Sequence, residues 1–278
     1  MKKIILLFLV IISSCNSTDF PNENHPNENL NLKSDFKIIG HRGGITGANP
    51  DNSLAALKGA IAKNYDMVEI DIRFTKDGIP ILHHDESLSD LYNVTPHPIS
   101  SLSFEEILKI KKDHGGLLPY TLDEFAIISE GKVGFLLDFK GEIYKDSYYE
   151  NCYKTLIKHH IKTIKVAWST SAKNYFHKKE KVRTALSYLE FSDAYMKSDF
   201  SPDWYYLHIS SYEFNPKLIQ KALELNLEVV VSVNEWNYRQ RGVTNFKIIT
   251  EDIYKMIDTG VRFFLIDSVF YPLFHFEK

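Results

Sequence analysis

Glu69 and Asp71 stand two residues apart in the apolar run Met67–Arg73, where the alternation of an extended strand puts both carboxylates on one face. Two acids so placed repel each other unless a proton or a cation lies between them, and donors made only of oxygen suit the hard ions Ca2+ and Mg2+. Thr75-Lys76-Asp77-Gly78 then leads into a second apolar run, Ile79–His84, and Asp-Gly is a strong hairpin signal. With Asp77 and Gly78 as a two-residue turn, His84 falls opposite Asp71 and Glu86 opposite Glu69, with facing Cβ atoms about 5 Å apart. The sequence therefore predicts an imidazole beside a carboxylate pair, able to hold a cation and to move a proton near neutral pH.

Further polar groups follow other apolar segments. His41-Arg42-Gly43-Gly44 directly follows Phe36–Gly40, and Asp138 and Lys140 close the segment Gly134–Phe139. An arginine offers a planar fork for a phosphate, and a third carboxylate adds a possible metal ligand. These groups meet the first set only if the segments are strands opening on one mouth.

The pattern of the chain predicts such an arrangement. Eight candidate strands, Phe36–Gly40, Met67–Arg73, Gly134–Phe139, Ile164–Trp168, Val182–Ser187, Tyr205–Ser210, Glu228–Val233 and Phe263–Asp267, alternate with amphipathic segments. Candidate helices include 52–64, 104–112, 122–129, 146–159, 172–178, 216–225 and 253–259. This is the signature of an α/β protein of the (β/α)8 TIM-barrel class, with residues 79–84 as a β-hairpin excursion after the second strand. A doubly wound open sheet is the alternative, but no Gly-rich phosphate loop follows the first strand.

The ends and the composition bound the rest. Lys2 and Lys3 precede the apolar run Ile4–Ile12, which is followed by Ser13-Ser14-Cys15, so residues 1–14 read as an export signal. Ile12-Ser13-Ser14-Cys15 resembles a bacterial lipobox, which implies lipidation of Cys15, a membrane partner through that anchor, and a cell-envelope location outside the cytoplasm. Residues 15–34, rich in Asn, Glu, Pro and Ser, read as a tether, and 35–278 as the catalytic domain. A net charge of −3 provides no basic footprint, which argues against nucleic acid as a partner. Cys152 is the only other cysteine and reads as a core residue on a helix, and the apolar tail 270–276 as a segment docked on the domain.

The ordered set of motifs resembles the glycerophosphodiester phosphodiesterases of the phosphoinositide-phospholipase-C-like barrel group. The set comprises His41-Arg42-Gly43, Asn49-Pro50-Asp51-Asn52-Ser53, Glu69-Ile70-Asp71-Ile72, Thr75-Lys76-Asp77-Gly78, His84-Asp85, Leu137-Asp138-Phe139-Lys140, Val233-Asn234 and a closing strand ending at Asp267. The resemblance implies that His41 and His84 are general acid and base, and that Glu69, Asp71 and Asp138 hold one divalent ion, Ca2+ or Mg2+. Arg42 and Lys140 would neutralise the phosphodiester, with Asp51, Asn52 and Asn234 in support. The implied reaction is metal-dependent hydrolysis of a small glycerophosphodiester to glycerol phosphate and an alcohol. Where the family has Pro-Glu-Asn-Thr this chain has Pro50-Asp51-Asn52-Ser53, its third metal-binding position is Asp138 rather than Glu, and Trp236 stands after Asn234 instead of a Trp before it. Such departures leave room for two other readings: a phosphodiesterase for phospholipid, inositol or glycan phosphodiesters, and a catalytically impaired surface lipoprotein that binds ligand.

Overall fold

A computed structural model describes residues 36–45, 47, 49–141 and 144–274. The signal segment, Cys15 and the tether to residue 34 lie outside the described residues. Eight strands pair in parallel: β1 (Lys37–Gly40), β2 (Met67–Phe74), β5 (Gly134–Phe139), β6 (Ile164–Ala167), β7 (Val182–Leu186), β8 (Tyr205–Ser210), β9 (Glu228–Val233) and β10 (Phe263–Ile266). β1 pairs with β10 on one side and with β2 on the other, which closes the sheet into a barrel. Helices α1 (Leu54–Ala62), α5 (Asp146–Lys158), α6 (Thr170–Phe176), α7 (Tyr188–Ala194), α8 (Pro216–Glu224) and α9 (Glu235–Gln240) with α10 (Phe246–Asp258) occupy the crossovers. The chain thus forms the expected (β/α)8 barrel. Among the described residues every strand pairing lies within 37–266.

Alternation along the strands sorts their side chains into layers. One layer takes one buried residue from each strand: Ile39, Met67, Leu136, Ala167, Ala185, Tyr206, Val230 and Leu265. The small Ala185 lies beside Tyr206 in register, so a large ring and a methyl group share the available width. Below this layer the wholly buried ammonium of Lys165 pairs with Glu228, which also holds Arg183 at 2.5 Å. Above it, residues two positions on, among them His41, Glu69, Asp138, His208 and Asp267, point toward the C-terminal mouth. The sequence of strand ends therefore dictates what the mouth contains.

The excursion after β2 is present but differs in register. β3 (Pro80–Leu82) runs antiparallel to β2 with Ile72 opposite Leu82 and Phe74 opposite Pro80, and β4 (Tyr120–Thr121) adds to its far edge. Thr75 and Ile79 close the turn, so the loop holds three residues, Lys76-Asp77-Gly78, rather than two. Gly78 adopts φ +83, and the Thr75 hydroxyl donates to Asp77 at 2.6 Å while accepting from the Ile79 amide at 2.9 Å. This side-chain clamp favours a type I turn followed by a left-handed glycine, which shifts every facing pair by one residue. Asp71 consequently faces His83, whose amide donates to the Asp71 carbonyl at 3.0 Å, and the expected Asp71–His84 pairing is corrected. Between β3 and β5, α2 (Ser89–Tyr92), α3 (Phe104–Asp113) and α4 (Leu122–Ser129) pack small apolar clusters, with Ile81, Leu88, Ile99 and Ile107 buried together.

Other expectations are met residue by residue. Cys152 is wholly buried on α5, and the tail docks through Phe270, Tyr271, Leu273 and Phe274, with Tyr271 stacked on Tyr65 at 5.1 Å, while residues 275 and 276 lie outside the described residues. At the closed end of the barrel, removing one partner of the buried ion pair leaves an uncompensated charge. Glu228→Gln is therefore expected to lower unfolding free energy by about 3 kcal/mol, and Lys165→Met by clearly less, in urea titrations followed by circular dichroism. Equal losses would refute the asymmetry.

Candidate active site

Neighbouring strands β10, β1, β2 and β5 build the polar half of the mouth. β2 and β5 are in register with Asp71 beside Asp138 and Glu69 beside Leu136, so the inward carboxylates of both strands converge. Oxygen atoms of Glu69, Asp71 and Asp138 lie within 4.8 Å of one another, and all three residues are buried. Burial makes the charged form of each costly, and each answer to that cost is visible. Lys140, at the end of β5, sets its ammonium 2.5 Å from Asp138 and 3.1 Å from Asp71. Glu69 accepts the Arg42 backbone amide at 2.7 Å.

Asn52 completes the support of Asp71. It sits at φ +53, a left-handed conformation that asparagine tolerates well, just before Ser53 caps α1. From there its amide nitrogen donates to the Asp71 carboxylate at 2.7 Å and its oxygen accepts the Asp71 amide at 3.2 Å. The Asn52 backbone in turn donates to the Arg42 carbonyl at 2.7 Å, which joins the loops after β1 and before α1. Asp51 is half-exposed and accepts from the Arg42 guanidinium at 2.8 Å, so it fixes the fork rather than reaching the triad.

Both histidines carry a carboxylate on Nδ1. His41, directly after β1, meets Asp267 at 2.6 Å, and its Nε2 lies 3.9 Å from Glu69. His84 meets Asp85 at 2.7 Å and shares a cleft of about 250 Å³ with Arg42, Asp51 and Asn52. Although the register does not place His84 across from Asp71, β3 ends at Leu82, and Arg73 holds the His84 carbonyl at 2.8 Å beside the mouth. His83, which lines the same cleft, bonds the Ser87 carbonyl at 2.9 Å. Asn234 sits at the end of β9 and spends its oxygen on capping α9 through the Asn237 amide.

Asp267 is the group to which sequence reasoning assigned no role. Its other oxygen accepts the Glu235 amide at 2.6 Å, so the carboxylate is anchored while it orients His41. The available signal was its position two residues beyond the interior-facing Leu265 on the closing strand, which alternation also turns toward the mouth.

The electrostatics of the cluster follow from these contacts. Burial and then the Asp71 charge push Glu69 up to about 8. Asp71 is also buried, yet Lys140 and Asn52 more than offset that cost and hold it below the ordinary carboxylate range. Burial lowers the affinity of His41 for a proton, but the Asp267 hydrogen bond and the Glu69 charge prevail and raise it to about 9. Asp71 Oδ1 accepts no well-aligned hydrogen bond and is compensated by the Lys140 ammonium 3.1 Å away. Three converging buried carboxylates whose donors are all oxygen fit a hard divalent cation.

The family emerges from comparison with known proteins. The family model described as "Glycerophosphoryl diester phosphodiesterase family" matches residues 41–269. The chain belongs to this family. Among curated relatives, human glycerophosphodiester phosphodiesterase 1 is 43% identical over 81 residues, which is 29% of this chain and 24% of the human protein. The chain thus spans about a quarter of that relative's length. A glycerophosphodiester phosphodiesterase of Bacillus altitudinis is 25% identical over 237 residues, covering 81% of this chain and 91% of the relative. Among solved structures, an Oleispira antarctica phosphodiesterase in complex with the product sn-glycerol-3-phosphate superposes with a TM-score of 0.59 at 18% identity, covering 84% of this chain and 93% of the other. That likeness concerns the fold.

Both raised groups bind protons more tightly in the folded state than in the unfolded one. Their contribution to stability is present below the ordinary values of 4.5 and 6.5 and is lost as pH rises through about 8 for Glu69 and about 9 for His41. The chelated protein is expected to lose thermal stability steadily between pH 6.5 and 9, and Ca2+ or Mg2+ to flatten that decline by supplying the missing positive charge. Calorimetric scans with and without chelator read this directly; profiles that coincide would contradict a cation at the triad.

Proposed function

We propose that this chain hydrolyses glycerophosphodiesters to glycerol phosphate and an alcohol, with one divalent ion held by Glu69, Asp71 and Asp138. The observation that carries the proposal is the pair of histidines, each with Nδ1 on a carboxylate, flanking a buried carboxylate triad in a member of the glycerophosphoryl diester phosphodiesterase family. The product named with the Oleispira structure agrees with it.

The chemistry requires little beyond these groups. A phosphodiester is an anion and repels nucleophiles, so the Arg42 fork, steadied by Asp51, and the Lys140 ammonium first draw it into the mouth. A bound Ca2+ or Mg2+ supplies Lewis-acid stabilisation of the charge that grows on the phosphoryl oxygens. With Nδ1 bonded to Asp267 or Asp85, each imidazole presents Nε2 for proton transfer. One takes the proton of the attacking water or hydroxyl, and the other returns one to the alkoxide as its bond to phosphorus breaks. Asn52 keeps Asp71 in place throughout, since supporting bonds of this kind set ligand orientation.

The expected outcomes are specific. The domain from residue 35 releases glycerol phosphate from glycerophosphocholine, chelator abolishes release, and Ca2+ or Mg2+ restores it. His41→Ala and His84→Ala each lower kcat by about 100-fold or more. Asp267→Asn also lowers kcat, with KM little changed, because it disturbs the orientation of His41 rather than substrate binding. Turnover that is indifferent to chelator and to both histidines would sink the proposal.

The export signal and Cys15 support a further part of the reading: a lipid-anchored protein of the bacterial cell envelope, outside the cytoplasm. Radiolabelled palmitate should appear on the mature chain and vanish in Cys15→Ser; an unlabelled mature chain would refute the anchor.

A further inference from the structure

The large apolar side chains left in water are unevenly placed. Trp168, Tyr188, Leu189, Tyr212 and Trp236 are 41–73% exposed. Each lies within three residues of the C-terminal end of a barrel strand, and the strands concerned, β6, β7, β8 and β9, are consecutive neighbours. The remaining exposed large apolar residues among those described belong each to a different helix or loop. The charged groups of the site come from β1, β2, β5 and β10. The rim of the mouth therefore has a charged arc and an aromatic one. Single exposed apolar residues are ordinary, whereas an apolar cluster around a binding mouth is a contact surface.

Two observations say what the contact is. Trp168 takes φ +46, a conformation that a bulky side chain adopts only under constraint, and its ring lies 4.5 Å from that of His208 inside the mouth. The arc is thereby continuous with the interior that receives substrate. The cations of these loops are paired, Lys173 with Glu190 at 2.5 Å and Arg239 with Glu235 at 3.3 Å, while Glu213 accepts the Ser210 amide at 3.0 Å and keeps its negative charge. With no surplus of cations there is no attraction for an anionic surface. Exposed Trp and Tyr with Leu and balanced charge suit the headgroup boundary of a neutral bilayer, where amphipathic rings settle.

We propose that the arc formed by Trp168, Tyr188, Leu189, Tyr212 and Trp236 seats the mouth on a zwitterionic lipid surface, so that phosphodiesters displayed there enter the site directly. The proposal rests on the catalytic reading above for its activity arm only. The stretch from Cys15 to β1 can extend to about 80 Å at most, a length that permits an anchor at Cys15 and a mouth on the same bilayer.

The test uses the domain from residue 35 and a Leu189→Ser/Trp236→Ser double variant, which leaves the charged arc intact. Wild type is expected to sediment with phosphatidylcholine vesicles with a blue shift of tryptophan emission, and the double variant to bind about tenfold more weakly. Both should hydrolyse soluble glycerophosphocholine at equal rates, while the variant acts about tenfold more slowly on lysophosphatidylcholine embedded in those vesicles. Equal vesicle binding by the two proteins, binding only to phosphatidylglycerol vesicles, or an arc-dependent dimer without lipid would overturn the proposal. Arc-dependent lipid binding without turnover of either phosphodiester would uphold the surface and refute the catalytic reading.

Discussion

Burial of three carboxylates at the top of the barrel is the constraint that organises the mouth. Glu69, Asp71 and Asp138 lie too close together, and too far from water, to be charged without compensation. Each neighbouring feature answers that demand in part: the Lys140 ammonium between two strands, the Asn52 amide on Asp71, and the Arg42 backbone on Glu69. Burial and the Asp71 charge raise the proton affinity of Glu69, while against the cost of its burial the Asp267 hydrogen bond and the Glu69 charge raise that of His41. A divalent ion held there would relieve the repulsion among the three carboxylates, and its binding would then be coupled to the stability of the fold.

The local backbone serves this cluster. Arg42 and Asn52 both adopt left-handed conformations, at φ +50 and φ +53, and together they turn the chain so that one amide, one guanidinium and one carboxamide face the acids. Such conformations persist only where the surroundings enforce them. Here the Asn52–Arg42 backbone bond and the Ser53 cap of α1 do so. Among the described residues the opposite half of the mouth carries surface ion pairs such as Glu190–Lys173 and Glu235–Arg239 together with its exposed rings.

Much of this was legible in sequence because strand geometry is periodic. The eight barrel strands agree with their apolar segments to within a residue or so, and the period of two was enough to set Glu69 and Asp71 on one inward face. Convergence of Asp138 and His41 on the same mouth also followed once closure of a barrel was assumed. The short α7 and α9 were not anticipated, since helices of so few residues carry little periodic signal.

What the sequence determined by itself is the order of strands, the inward carboxylates and the family motifs, all of which depend on residue types at fixed local spacing. Tertiary structure decided the register of the hairpin, where the Thr75 hydroxyl clamps a three-residue loop and sets His83, not His84, opposite Asp71. It also decided the partnership of His41 with Asp267, 226 residues apart, because only closure of β1 against β10 brings them together. Which aromatic residues of four successive loops stay exposed on one rim likewise depends on how those loops pack, which no local pattern encodes.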